Sequence, residues 1–342
     1  VFCEEAGMAD DLAVRLVRRP VGVPAADCFE VVTQPVPEPG PGGVLVRNEF
    51  FSLDPYMRGR MSDAKSYAAP YELGEIMHGD AVGTVTDSAD SALPPGTTVA
   101  HGEGWRTWSA GPASRYRVID TAALAATAYL GPLGMPGMTA YVGLKHIAGV
   151  RAGDVVFISA AAGAVGSIAG QIARQLGARR VIGSAGREAK VKALTGEFGF
   201  DAAFNYKDGD LARQLRRAAD GRIDVYFDNV GGEQLEAAIT AMARGGRVAL
   251  CGMLSVYNER ELPPGPRNLG MLIGKRLTMR GFLVTDHEDC RGEFEQAMTG
   301  WLADGSVRAA ETVVTGVASA PEAFLGLLAG TNTGKMLIRV GD

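Results

Sequence analysis

The stretch from Arg151 to Arg187, RAGDVVFISAAAGAVGSIAGQIARQLGARRVIGSAGR, constrains the fold more than any other, because it reads as strand, Gly/Ala turn, helix and second strand. Val155 to Ser159 form a β-branched and aromatic run suited to a buried parallel strand. In the turn Ala161-Ala162-Gly163-Ala164-Val165-Gly166, a G-x-G-x-x-G pattern is met with Ala161 in the first glycine place. Gly163 would let the backbone approach a pyrophosphate, and Gly166 would let the helix lie close on the strand. Val165, Ile168, Ala169, Ile172 and Leu176 share one helical face, with Gly177 placed to end it. The first-turn N–H groups and the positive end of the helix dipole suit phosphates. In a chain with 46 glycines such a pattern alone can be a packed turn. Set between a strand and an amphipathic helix, it predicts a dinucleotide site.

An NAD site would next show Asp or Glu at the end of the second strand, to accept from the adenosine ribose. Here that place reads Val181-Ile182-Gly183-Ser184-Ala185-Gly186-Arg187, with no acid, and Lys190 follows. Either cation suits a 2′-phosphate in a charge-assisted contact worth roughly 1.5–3 kcal/mol. NADPH is therefore expected over NADH.

A length of 342 residues predicts two domains, and 46% hydrophobic content is ample for their cores. Net charge is −5, from 34 basic and 39 acidic residues without a basic block, which gives no footprint for nucleic acid or a membrane surface. Cys3, Cys28, Cys251 and Cys290 form no C-x-x-C pair, as expected of a reducing compartment. The opening VFCEEAGMADD is acidic and lacks an apolar core, so neither a signal peptide nor a transmembrane span is expected, and a cytoplasmic location is.

Along the chain, LAVRLVRRP, GVLVRNEFF, AVGTVT, TTVA and RYRVI read as short strands broken by Pro and Gly, a β-rich domain to about Thr121. Within it, Ser52 to Met61 (SLDPYMRGRM) reads as a loop that lines a pocket or anchors itself. After a turn at Gly131, Pro132, Gly134, Pro136 and Gly137, residues 139–147 read as a helix. Helices at 187–198, 211–219 and 233–243 then alternate with strands at 203–206, 223–228, 247–251 and 277–284, as in a doubly wound parallel sheet. The tail returns to β pattern around a small helix at 320–328. The expected division is thus 1–134 plus 311–342 against 135–310.

Zinc chemistry, as in zinc alcohol dehydrogenases, lacks its ligands. His78-Gly79-Asp80-Ala81-Val82-Gly83 resembles their G-H-E-x-x-G segment, but the metal-binding histidine place holds Gly79. His101, His146 and His287 each stand alone in sequence, so no metal site is expected. Ser159 and Ser167 lack a nucleophile elbow. Gly330 to Met336 has one spacer too few for a P-loop, and no Ser or Thr follows its lysine. Without metal or nucleophile, a nicotinamide site can still reduce an activated double bond, for which the enolate oxygen needs only hydrogen-bond donors. Tyr257, just past the strand ending in Cys251, is the best-placed donor, with a partly buried loop aromatic as the plain alternative.

At this point the chain resembles the zinc-free branch of the medium-chain dehydrogenase/reductase superfamily, with its leukotriene/prostaglandin, plant double-bond and curcumin-type reductases. The resemblance spans nearly the whole chain and rests on SLDPYMRGRM, GMPGMTAYVGL, SAAAGAVGSIAGQIA, FDNVGGE, CGMLSVYN, LPPGP, WLADGSV and GTNTGKMLIRV taken together. It implies a Rossmann domain, here the doubly wound parallel sheet, joined to a GroES-like β-rich domain. It further implies that Gly163, Ala164, Val165 and Gly166 hold the pyrophosphate, and that Lys190 and Tyr206 hold the 2′-phosphate and ribose. Asn229, Cys251, Gly252, Met253, Leu254, Ser255, Val256, Tyr257, Phe282, Leu283 and Val284 would line the cofactor, NADPH or NADP+, with Asn332 reaching it from the first domain. Tyr257 matches the substrate-facing tyrosine and Tyr56 an aromatic near the substrate. Met253, Leu254 and Val256 are bulkier or more apolar than is common in the family, and Phe198-Gly199-Phe200 replaces a leucine-glycine pair.

The activity expected is NADPH-dependent reduction of the double bond of α,β-unsaturated ketones or aldehydes. Hydride would pass to the β-carbon, with Tyr257 and the nicotinamide ribose hydroxyl on the enolate. A zinc-independent quinone oxidoreductase and a non-catalytic NADPH-binding protein are the alternatives. The resemblance also implies a homodimer acting on a small carbonyl substrate.

Overall fold

The structure is a computed structural model that describes residues 10–341. Cys3 and most of the opening segment read above for a signal peptide lie outside those residues. Two compact units are present. One runs to Leu130 and takes in Thr312–Thr331 and the chain from Met336 on, while the other comprises Gly131–Glu311 and Asn332–Lys335.

In the first unit β1 (Asp10–Leu16) pairs antiparallel with β2 (Phe29–Pro35). β3 (Gly43–Leu53) leads into α1 (Tyr56–Arg60), followed by β4 (Ala81–Ser88), β5 (Thr98–His101), β6 (Trp108–Pro112) and β7 (Arg117–Val118). Trp105, at φ 62°, stacks with Phe29 and Phe51 and meets Phe324 edge-on, with centroids 5.8–6.2 Å apart. Burying each such ring contributes about 2–3 kcal/mol.

The second unit opens with α2 (Met135–Val142), continued by a π-turn at Gly143–Ile147. The helix therefore starts four residues earlier than the pattern suggests. Gly134 caps it and Pro136 falls in its first turn, where proline costs no hydrogen bond. There follow β8 (Val155–Ile158), α3 (Ala164–Gln175), β9 (Arg180–Ala185), α4 (Glu188–Gly196), β10 (Ala202–Asn205), α5 (Leu211–Ala218), β11 (Ile223–Asp228) and α6 (Gly232–Ala241). β12 (Met242–Leu250), α7 (Met271–Lys275), β13 (Thr278–Gly281) and α8 (Arg291–Ala303) complete it. Its six strands are all parallel, in the order β10-β9-β8-β11-β12-β13. Every residue of β8 is buried, and Phe157 stacks on Tyr226 at 4.8 Å and on Phe204 at 5.9 Å.

The chain then returns to the first unit with β14 (Glu311–Thr315), α9 (Ala320–Leu328) and β15 (Lys335–Arg339), giving the sheet order β14-β15-β3-β4-β5-β7 with β6 on β3. Strands β2 and β6 and helix α8 have no counterpart in the sequence reading. β2 is largely exposed or half-buried, and α8 buries only Phe294 and Met298, so neither carries a strong apolar period.

Candidate active site

Strand order in the parallel sheet reverses between β8 and β11, and the carboxyl ends at such a switch point are where doubly wound sheets take ligands. The glycine turn fills that place. Gly163 caps α3 in extended conformation, and a Cβ on Gly166 would fall 2.4 Å from the Ala160 carbonyl oxygen and 2.7 Å from Ala161 Cα. Only a residue without a side chain lets α3 pack this close. Ala164 and Val165 open the helix and are half-buried beside it. The left-handed residue of the turn is Ala160, at φ 47°, one position before the first-glycine place. Ala161 is fully buried instead.

Asn332 lies with the second unit, although from sequence it is expected in the first. Its Nδ2 donates to the Gly334 carbonyl at 2.8 Å, Gly334 N–H donates to the Ala162 carbonyl at 2.8 Å, and Gly334 bridges Gly163. Gly334 has φ 67°, and a Cβ there would meet Ala310 O at 1.9 Å. The segment that superficially matches a P-loop is thus a strap on the glycine turn.

In the first turn of α4, which follows β9, Lys190 is half-buried, and its pKa is lowered by burial and then by the neighbouring charges of Arg187 and Lys207. Tyr206 stands beside them. A Cβ on Gly186 would come 3.0 Å from the Tyr206 hydroxyl and 3.2 Å from Lys207 Cε, and Lys207 lies 5.8 Å from the Tyr206 ring. Mutually repelling cations around an aromatic edge fit a phosphate. Lys207 escapes the sequence reading, although its place directly after Tyr206 is the available signal.

Asn229 follows β11 and is 8% exposed. Cys251 and Gly252 follow β12, both donating backbone N–H to the Asp228 carbonyl at 2.8 and 3.0 Å. Burial and then Asp228 push the Cys251 thiol up to about 12, so it is neutral and no nucleophile. Met253 is half-buried, and Leu254 and Ser255 are exposed in a 3₁₀ turn that ends with Val256 and Tyr257. The Tyr257 hydroxyl lies 3.6 Å from where a Gly252 Cβ would be. Phe282, Leu283 and Val284 are half-buried past β13, with Phe282 edge-on to Phe227. The second unit therefore brings the proposed cofactor residues to the carboxyl ends of its strands and to the strap.

In the first unit, the segment read as a loop forms one helical turn, α1, anchored by fully buried Met57 and Met61. Tyr56 is half-buried, and its hydroxyl pKa is raised by burial and then by Asp54, Tyr71 and Asp80, so the phenol stays neutral. Arg60 donates to His78 Nε2 at 3.0 Å and lies 4.2 Å from the Tyr71 ring, whose hydroxyl donates to the His78 carbonyl at 2.7 Å. Burial and then Arg60 lower the His78 pKa. Gly79, at the metal-histidine place, has no side chain to offer a metal, and a Cβ there would come 2.3 Å from the end of the Met57 side chain. His287 is less isolated than its sequence suggests: donor atoms of Asp289 and Cys290 lie within 4.8 Å of one another and of its ring.

A glycine turn at a parallel-sheet switch point, a cluster of cations past the second strand and glycine at the metal-histidine place define a zinc-independent nicotinamide oxidoreductase class. Residues 13–119 match the family described as the N-terminal domain of oxidoreductase, and residues 164–303 that described as zinc-binding dehydrogenase. The NADPH-dependent curcumin reductase of Escherichia coli is 37% identical over 96% of both chains, and the NADP-dependent 2-alkenal reductase of Nicotiana tabacum is 42% identical over 89% of both. CurA from Vibrio vulnificus, solved in complex with NADPH, is 40% identical with a TM-score of 0.90, over 97% of this chain and 99% of that one. The chain belongs to the medium-chain dehydrogenase/reductase superfamily, in the branch that does not require zinc.

Proposed function

We propose that this chain is an NADPH-dependent reductase of the carbon–carbon double bond in α,β-unsaturated ketones and aldehydes. The curcumin and alkenal reductases among its relatives support that activity. The observation that carries it here is the Tyr257 hydroxyl beside Gly252, past the carboxyl end of β12 in the same parallel sheet that carries the glycine turn, in a chain with glycine at the zinc-histidine place.

Gly163, Ala164, Val165 and Gly166 hold the pyrophosphate through backbone N–H groups. Lys190, with Arg187, Lys207 and Tyr206, holds the 2′-phosphate and ribose. Asn229, the run Cys251 to Tyr257, the run Phe282 to Val284 and Asn332 line the cofactor. When bound, NADPH supplies the hydride for the β-carbon. Tyr257 donates a hydrogen bond to the oxygen on which enolate charge develops, a neutral donor where charge appears only as reaction proceeds. Tyr56, a neutral phenol, contacts the substrate in the first unit, and the α-carbon takes its proton from solvent or a relay.

Among the described residues no helix is long and apolar enough to cross a membrane. The same reading has the enzyme as a cytoplasmic homodimer, which light scattering on the eluting protein tests for assembly. The function is tested by NADPH oxidation with a simple enone. A saturated carbonyl product supports it, and an allylic alcohol as the only product rejects it.

A further inference from the structure

Ser159 follows β8 and Asp228 ends β11, so the two flank the switch point, and both are 0% exposed. Ser159 Oγ donates to Asp228 Oδ1 at 3.2 Å and accepts the Asn229 backbone N–H at 2.9 Å. The Ser159 carbonyl accepts from Asn229 Nδ2 at 2.8 Å. A carbonyl can only accept, so the amide nitrogen of Asn229 must face it, and the amide oxygen is turned away from Ser159. The Asn229 side chain is thereby held in one of its two flips by strand β8.

Asp228 Oδ1 also accepts from Tyr226 Oη at 2.6 Å and from the N–H groups of Val230 and Gly231 at 2.9 and 2.8 Å. Its main-chain carbonyl holds Cys251 and Gly252, the start of the turn that carries Tyr257. One aspartate thus ties together the ends of β8, β11 and β12. Asp228 Oδ2, in contrast, is buried without a partner. All four hydrogen bonds of the Asp228 side chain thus fall on one acceptor atom, Oδ1.

We infer that Ser159 and Asp228 are positioning residues that fix the Asn229 carboxamide with its oxygen presented to an N–H or O–H donor at the nicotinamide riboside end of the cofactor. This rests on the NADPH-reductase reading above. The pyrophosphate and 2′-phosphate contacts lie elsewhere in the unit, so loosening the tie should alter alignment for hydride transfer far more than affinity.

The test is single-turnover stopped flow of NADPH absorbance with an enone, beside NADPH titration and circular dichroism. Ser159→Ala should slow hydride transfer about tenfold while the NADPH Kd stays within about threefold and the folded signal is kept. Asp228→Asn retains the Oδ1 acceptor and should stay within about twofold of the parent rate, whereas Asp228→Ala should fall at least as far as Ser159→Ala. A parent-like rate in Ser159→Ala, a loss that merely tracks lost folded protein, or Asp228→Asn as slow as Asp228→Ala would each overturn the inference. Failure of the unmodified protein to reduce the enone would instead remove the reading beneath it.

Discussion

The turn from Ala160 to Gly166 and the cluster around Tyr56 and His78 are each built on a short helix start, yet they are specified in opposite ways. In the turn, backbone sterics decide: Gly166 stands where a Cβ would meet Ala160 O at 2.4 Å. Around Tyr56, side chains decide. Arg60 bridges the Tyr71 ring and His78 Nε2, while Met57 and Met61 fix the backbone from beneath. A backbone-specified site tolerates almost no change at its glycines, whereas a side-chain-specified one can be retuned without losing its fold.

The largest effect should follow from breaking the backbone side. Gly166→Val would push α3 off Ala160 and Ala161, and NADPH binding should weaken by about 100-fold or more, on the order of 3 kcal/mol. Titration of NADPH fluorescence reads this directly, and near-parent affinity would show that the close approach is dispensable. Nearly as large is the loss expected from Tyr257→Phe, which removes one enolate donor and should lower kcat about 100-fold with NADPH affinity kept. An unchanged kcat would take Tyr257 out of the chemistry.

Third in size is the cation cluster. Lys190→Ala should weaken NADPH about tenfold and leave NADH nearly unchanged, since only the former carries the 2′-phosphate. Because burial and two neighbouring cations lower the Lys190 pKa, that charge is present below the lowered value and lost above it. NADPH affinity should accordingly fall on the alkaline side earlier than an ordinary lysine would dictate, and Lys190→Arg should remove that fall. Isothermal titration across pH decides the matter, and a flat profile for the parent protein would count against the cluster.

These regions also differ in how far they can be read from residues alone. Alternation of apolar runs with glycines reveals the parallel unit, and the strand at 223–228 and the helix at 320–328 come out with their observed bounds. The missing acid after β9 is visible as a missing letter. By contrast, Lys207 comes beside Gly186 and Lys190 only because β10 lies beside β9. The one-turn helix α1 has no period to detect, and the strap at Asn332–Lys335 depends on contacts across more than 150 residues. Pattern reports local geometry, and it does not report which distant segment closes over it.

An effect on stability instead of affinity tests the first unit. His101 is buried with Nδ1 accepting the Glu103 N–H at 3.1 Å and Nε2 without a partner, and burial, then Arg106, hold its pKa down to about 3. The unfolded chain binds a proton near pH 6.5 that the folded one refuses. Stability is therefore complete above that pH and is lost as pH falls, by about 2 kcal/mol between pH 7 and 5. Urea unfolding at both pH values should show this loss, with a flatter dependence in His101→Asn.

The smallest effect separates the glycine pattern from the geometry beneath it. By pattern, Ala161 occupies the first-glycine place, so Ala161→Gly is the substitution that would restore the fingerprint. By geometry, the residue in the left-handed region is Ala160, at φ 47°. An alanine held there costs about 1–2 kcal/mol, and glycine would relieve it while adding about 0.5–1 kcal/mol of chain entropy to be lost on folding. Ala160→Gly should then be neutral or stabilising by about 0.5 kcal/mol. Ala161, fully buried with its Cβ near 2.8 Å from the space above Gly183, would lose packing on the same change and should destabilise by about 1 kcal/mol. Thermal melts should place Ala160→Gly at or above the parent and Ala161→Gly below it, and a rise for Ala161→Gly would mean that the pattern, and not the backbone angle, locates the strained residue.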